Sequence, residues 1–155
     1  MDVRLRAPRE EDSEPLFALE ADPRVAHMAA FGKPRTPEAW PAHWALITTT
    51  PGTTTRIVEV DRAFAGMACC YPMDGTLDVG YSILPAYWGR GVASAALRLL
   101  LAEIAHRPLA ARVAEDNAAS QRVLEKAGFR AVDRQMGFAP ARGEDVAEIF
   151  FVLDA

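Results

Sequence analysis

The chain has 155 residues, half of them hydrophobic and a quarter charged, the proportions of one soluble globular domain and not of a disordered or fibrous chain. Its net charge of -4 disfavours a general nucleic-acid binder, and Arg98, Glu103 and His106 break even the richest apolar stretch, Val92 to Ala110, so no run reaches the ~20 residues of a membrane-spanning helix. The start, Met1-Asp2-Val3-Arg4-Leu5-Arg6, lacks the basic-then-apolar pattern of a secretory signal, and Cys69 and Cys70, the only cysteines, are adjacent and cannot build a disulfide framework; a cytoplasmic location is expected.

In chain order, Val3 to Leu5 reads as a short strand, and Asp12 or Ser13 can cap a helix running to about Glu20, with Pro15 tolerated in its first turn. Thr36-Pro37-Glu38 is a second helix start, followed by Trp40 and Trp44 at i, i+4 spacing on one face. Arg56 to Val60, Ala65 to Tyr71 and Leu77 to Ile83 are rich in β-formers and separated by Asp61-Arg62 and Met73-Asp74-Gly75, which predicts a three-stranded antiparallel meander. A loop, Leu84 to Gly91, leads into a helix expected to run to His106 and to be stopped by Pro108. Leu109 to Ala114 is then a strand, Asn117 to Ala127 a helix ended by Gly128, and Phe129 to Asp133 and Val146 to Leu153 are further strands around an irregular hairpin loop, Gly137 to Glu144. The pattern is α+β, with a mixed sheet.

Charge is unevenly spread. From Ala86 to Arg130 seven basic residues face four acidic ones, a local +3 that leaves -7 elsewhere. A basic segment inside an acidic chain suggests an anionic ligand there and a cationic one opposite. The loop supports the first half of this: Gly89 and Gly91 let the backbone turn tightly and approach a ligand, the small Ala93 and Ser94 leave the first helical turn uncrowded, and the amides of that turn sit at the positive end of the helix dipole, where a pyrophosphate fits. Arg90 adds charge. The third glycine of the dinucleotide fingerprint and the Gly-Lys-Ser/Thr of the P-loop are both missing, so the standard nucleotide folds are disfavoured.

About 25 residues later comes Glu115-Asp116-Asn117-Ala118-Ala119-Ser120-Gln121-Arg122-Val123-Leu124-Glu125-Lys126-Ala127-Gly128-Phe129. With Asp78-Val79-Gly80-Tyr81 and the loop Pro85 to Gly91, this segment resembles the GNAT superfamily of acetyl-CoA-dependent N-acetyltransferases, and within it the branch of Rim-type ribosomal-protein N-terminal acetyltransferases. The match in spacing and order covers Leu77 to Arg134. It implies a mostly antiparallel central sheet of six to seven strands with helices on both faces, filling residues 1–155 as one GNAT domain. It also implies acetyl-CoA as cosubstrate, direct attack by a primary amine (a small molecule, or the N-terminus of a peptide or protein) in a ternary complex, and no metal. No nucleic-acid or membrane partner is expected, and a homodimer stays open. The alternative from a different class is a CoA-binding sensor or scaffold that has lost catalysis.

Carried over position by position, the resemblance gives the backbone of Gly89, Arg90, Gly91, Val92, Ala93 and Ser94 to the pyrophosphate. Trp88 stands where much of the superfamily has Gln or Arg, and the backbone N–H at Ile83 or its neighbour falls to the developing oxyanion. It places Asn117 on the pantetheine arm and Ser120 near the thioester sulfur, as proton donor to the thiolate or as an anchor. Arg122 either reaches the nucleotide phosphates or is a solvated helix residue. Strands Asp78–Ile83 and Leu109–Ala114 should splay to admit pantetheine. A protonated amine must lose a proton before it attacks, and Asp78, where relatives often carry a longer Glu, is the candidate base, acting through water, or else a solvated turn residue. Ala95 stands where this branch usually has Glu, which removes one carboxylate. Trp40 and Trp44 either wall the acceptor site or pack the core, and Tyr81 faces the cleft or packs. His27, His43 and His106 lack metal-ligand spacing, and the cysteines read as core residues rather than nucleophiles.

Overall fold

The computed structural model describes residues 1–32 and 34–155. Seven strands form one sheet: β1 (Val3–Arg6), β2 (Thr54–Val60), β3 (Ala63–Met73), β4 (Thr76–Ile83), β5 (Leu109–Ala114), β6 (Arg130–Ala139) and β7 (Glu144–Leu153), in the order β1-β2-β3-β4-β5-β7-β6. Every pairing is antiparallel except β4 with β5, which run parallel and share one registered pair, Asp78 with Ala110. Beyond that pair the two strands part, and the opening is where the functional cleft lies.

The meander forms as predicted because both turns supply the left-handed residues that two-residue hairpins need: Asp61 and Arg62 at φ 49° and 71°, Asp74 and Gly75 at 49° and 83°. At Gly66 the backbone of β3 approaches β4 so closely that a Cβ would lie 2.1 Å from the Ser82 carbonyl oxygen. Gly66→Ala should therefore push β3 off the strand that walls the cleft, at a cost of about 3 kcal/mol or more, readable as a lowered urea midpoint.

Among the described residues five α-helices cover the sheet: α1 (Ser13–Ala21), α2 (Pro23–Ala29), α3 (Trp40–Thr49), α4 (Val92–Glu103) and α5 (Ala118–Lys126). On one face α4 buries Val92, Ala96, Leu97 and Leu100 against Val58, Ala68, Val79, Ala111, Val113 and Phe151 in the principal core. On the other face a smaller core joins Leu16, Leu19, Val25, Trp40, Trp44 and Met67. There Trp40 Nε1 donates to Ser13 Oγ at 2.9 Å and Trp44 Nε1 to Glu10 Oε2 at 3.4 Å, so the two tryptophans tie α3 to the start of α1 and do not wall the cleft.

Three elements differ from expectation. Helix α2 falls in a stretch to which the sequence reading assigns no element; Asp22 caps it by accepting from the Arg24 N–H at 2.8 Å, and Pro23 opens it, a start signal that its seven residues gave little room to show. Helix α4 stops at Glu103, with Ile104 already extended, instead of reaching His106. Gly137 to Glu144 is half strand: β6 runs on to Ala139, β7 begins at Glu144, and the turn is only Pro140 to Gly143. β6 is an edge strand and almost wholly exposed, so backbone hydrogen bonds to β7 hold it without a burial pattern to mark it.

Candidate active site

The opening between β4 and β5 is a cleft of about 630 Å³. Val79 to Ile83 form one wall and Ala111 to Ala114 the other, α5 contributes from one end, and Val25, Met28 and Ala29 of α2 close the opposite face. Where β4 ends, the chain turns through Pro85–Tyr87 and enters α4 at Gly91. The Trp88 indole N–H donates to the Ile83 carbonyl at 2.8 Å, strapping this loop to the end of β4 while the residue stays 43% exposed.

Gly91 is the N-cap of α4 at φ 78°, ψ 9°, and offers no side chain to the amides of the first turn. A Cβ at Gly89 or Gly91 would meet nothing within 4 Å. The amides thus open onto a space that protein atoms leave free, at the positive end of a 12-residue helix, and Gly89, Gly91, Val92, Ala93 and Ser94 all line it. Arg90 is exposed, its guanidinium carbon 5.5 Å from the centre of the Tyr87 ring, at the rim rather than in the wall. From α5, Arg122 and Lys126 line the cleft one turn apart, and neither has an acidic partner among the described residues. Free amides, a backbone cradle that a side chain would fill and two uncompensated cations fit a pyrophosphate and its nucleotide end.

Asn117 caps α5: its Oδ1 accepts from the Ser120 N–H at 3.2 Å, which leaves its amide nitrogen to be offered to the cleft it lines. Ser120 also lines the cleft, its Oγ 2.7 Å from the Tyr81 hydroxyl, and that hydroxyl lies 3.3 Å from the Ser120 carbonyl. Burial holds the Tyr81 phenol up at about 12, against a smaller lowering by the Ser120 contact, so it stays protonated and able to donate at neutral pH. The pairing joins residues 39 apart in sequence, on elements whose adjacency only the sheet order reveals.

Asp78 is placed differently from the other predicted site residues. It is 1% exposed and does not line the cleft; its Oδ2 accepts from Arg112 Nε at 3.1 Å, and the Thr76 hydroxyl donates to its Oδ1. It stands at the closed end, where β4 and β5 are still paired. Arg112, a cleft residue absent from the predicted set, lies with its guanidinium carbon 5.0 Å from the centre of the Phe150 ring and approaches Asp74 at 3.4 Å. Lys126 lies in the quoted Glu115 to Phe129 segment but takes no role from it in the sequence reading, and Arg112 and the apolar α2 residues carry no motif. Among the described residues no group of three or more His, Cys, Asp or Glu is placed to hold a metal ion, and no helix is long and apolar enough to cross a membrane.

The site is thus a sheet split between two parallel strands, with an anion cradle at one end of the split and a hydroxyl pair in its wall. The acetyltransferase (GNAT) domain model matches residues 2–130, and the chain belongs to that family, whose cosubstrate is acetyl-CoA. No curated protein matches the chain. The fold superposes on an N-acetyltransferase from Staphylococcus aureus Mu50 with a TM-score of 0.86, at 20% identity and 99% coverage of both chains. It superposes on a ribosomal-protein-alanine N-acetyltransferase from Brucella melitensis with a TM-score of 0.82, at 20% identity, covering 98% of this chain and 99% of that one. A spermidine N-acetyltransferase from Vibrio cholerae in complex with CoA and spermine gives 0.78 at 16% identity, covering 97% and 95%.

Proposed function

We propose that residues 1–155 form one N-acetyltransferase domain that moves acetyl from acetyl-CoA to a primary amine by direct attack in a ternary complex, in the Rim-type branch of the family. The observation that carries this reading is the continuity of the cleft: it leads from the free α4 amides past Asn117 to the Tyr81–Ser120 pair and out beneath α2, so one ligand and its acceptor can meet from opposite faces of the sheet. The Brucella ribosomal-protein-alanine N-acetyltransferase and the Vibrio spermidine N-acetyltransferase support an amine acceptor of either size. A cytoplasmic location is part of the proposal, consistent with two unpaired cysteines.

Bound acetyl-CoA supplies a thioester carbonyl open to a neutral amine. In this reading the amides of Gly89 to Ser94, with Arg90 at the rim and Trp88 strapping the loop, hold the phosphates. The Asn117 amide donates to the pantetheine arm, and the backbone at Ile83 faces the carbonyl oxygen. The Ser120 hydroxyl protonates the leaving sulfur, with Tyr81 orienting it. Arg122 and Lys126 meet the nucleotide phosphates, so Arg122→Ala should weaken binding severalfold at low salt and flatten its salt dependence in calorimetry.

Asn117 carries two roles that one substitution can part. Asn117→Asp keeps an oxygen acceptor that can cap α5 but loses the amide donor, so acetyl-CoA affinity should fall by roughly 1–2 kcal/mol in calorimetry with little change in melting temperature. Affinity equal to wild type would make Asn117 a cap alone.

Withdrawal of Asp78 to Arg112 favours a second reading, a CoA-binding sensor without catalysis. Thiol release decides between them: the protein is incubated with acetyl-CoA and a panel of spermidine, glycinamide and an alanine-initiated tetrapeptide. Coenzyme A appearing above the no-acceptor control supports the enzyme; acetyl-CoA binding without release supports the sensor. In an active enzyme Ser120→Ala should depress kcat by ~10²-fold across the pH range, and Tyr81→Phe by less.

A further inference from the structure

On the sheet face turned away from α4, ionisable side chains cross four strands in one row. Tyr71 of β3 is registered with Asp78 of β4, Asp78 reaches Arg112 of β5, and Glu148 of β7 is registered with Ala114, two residues from Arg112 and on its face. Arg112 and Ala114 both line the cleft, so Glu148 is the cross-strand neighbour of a wall residue, with Cβ atoms about 5 Å apart as in any antiparallel pair. Ala114 also packs with Ala30, just beyond α2, so Glu148, which is not itself a lining residue, stands next to the part of the wall that α2 covers.

Glu148 is half-buried, and its carboxylate has no hydrogen bond or ion pair among the described residues. Among the described residues, the groups nearest to it on the sheet are already committed. Arg112 is held by Asp78 and Asp74, and Gln135, opposite Glu148 on β6, donates to Asp133. On α2 and the segment after it, Arg24 is paired with Asp22 and Arg35 approaches Glu20. Leaving a half-buried carboxylate unpaired costs stability and returns none to the fold.

We propose that Glu148, rather than Asp78, is the carboxylate that meets the acceptor ammonium, and that Asp78 is a positioning residue that holds Arg112 in the cleft wall. The inference rests on the N-acetyltransferase reading above. The ammonium passes one proton to the Glu148 carboxylate, directly or through one water, and that proton later leaves to solvent. The freed nitrogen lone pair forms the C–N bond as the C–S bond breaks. The nitrogen's second proton is shed and one is taken up by the sulfur, so one proton is released per acetyl transferred. Burial, reinforced by Asp78 and opposed by Arg112, raises the Glu148 pKa, which brings a carboxylate nearer the strength a base needs at neutral pH. With Asp78 and Arg112 cancelling, Glu148 leaves this end of the cleft anionic, which selects acceptors that carry positive charge and no carboxylate beside the amine.

The test is thiol release from acetyl-CoA with spermidine, glycinamide and the alanine-initiated tetrapeptide, from pH 6 to 10, alongside calorimetry with acetyl-CoA alone. For each probe that wild type turns over, Glu148→Gln should lower kcat/KM by ~10²-fold near pH 7, with the deficit shrinking toward the amine's own pKa. Acetyl-CoA affinity should be unchanged and the melting temperature equal or higher. Glu148→Asp should recover part of the rate, and Asp78→Asn should lower it by the same factor at every pH. A Glu148→Gln enzyme with the wild-type profile overturns the assignment, as does one that loses acetyl-CoA affinity in step with rate. An Asp78→Asn deficit confined to low pH returns the base role to Asp78. Wild-type protein that binds acetyl-CoA and releases no thiol with any probe overturns the enzyme reading itself, and this inference with it.

Discussion

Gly91→Ala is expected to weaken acetyl-CoA binding at least tenfold, about 1.4 kcal/mol, while leaving the protein folded. The new Cβ would meet no protein atom within 4 Å, so inside the protein the substitution costs only the strain of a non-glycine residue at φ 78°. The same Cβ projects into the space where the proposed function puts the phosphates against the α4 amides, and there even one methyl group would hold the anion off. Gly75→Ala supplies the control: it has φ 83°, again nothing within 4 Å, and sits in the β3–β4 turn away from the cleft. Both variants should lose similar stability in urea, and only Gly91→Ala should lose affinity in calorimetry. Valine at Gly91 should lose more of both, since a β-branched residue is strained further at positive φ. Equal affinity for the two alanine variants would remove the phosphates from this loop.

How far the sequence anticipates this site depends on whether a feature is local. The α4 cradle is written in contiguous residues, Gly89 to Ser94, because a tight turn followed by an uncrowded helix start is a short-range property. The same holds for the Asp61-Arg62 and Asp74-Gly75 turns and for Asn117 as a cap. Contacts that cross the fold are another matter. Tyr81 meets Ser120 because α5 packs beside the opening, and Asp78 meets Arg112 because β4 and β5 become parallel neighbours through the α4 crossover. Nothing near Asp78 in the chain announces that its partner lies 34 residues on, so read alone it offers a free carboxylate. Edge strand β6 hides for the opposite reason: exposed on nearly every residue, with Met136 and Phe138 each 60% exposed, it carries no alternation to read.

Asp78→Ala is expected to destabilise the fold by about 3 kcal/mol, which for a domain of this size lowers the melting temperature by roughly 6–12 °C. The carboxylate is 1% exposed and takes hydrogen bonds from both Arg112 and Thr76. Its loss leaves the Arg112 guanidinium, 18% exposed, without its close partner, and Asp74, 3.4 Å away and largely in water, compensates only in part. That residual exposure is why the expected figure sits at the lower end of the 3–5 kcal/mol found when a buried pair is broken. Asp78→Asn should cost less, because an amide oxygen can still accept from Arg112 Nε. Asp78→Leu combined with Arg112→Met should recover most of the loss, since the penalty comes from a stranded charge and not from the absence of a pair. A double-mutant cycle in urea measures this directly. Singles that each fall within 1 kcal/mol of wild type and add in the double variant would mean that the pair does not hold the closed end of the cleft, and Asp78 would then be free to act on the acceptor.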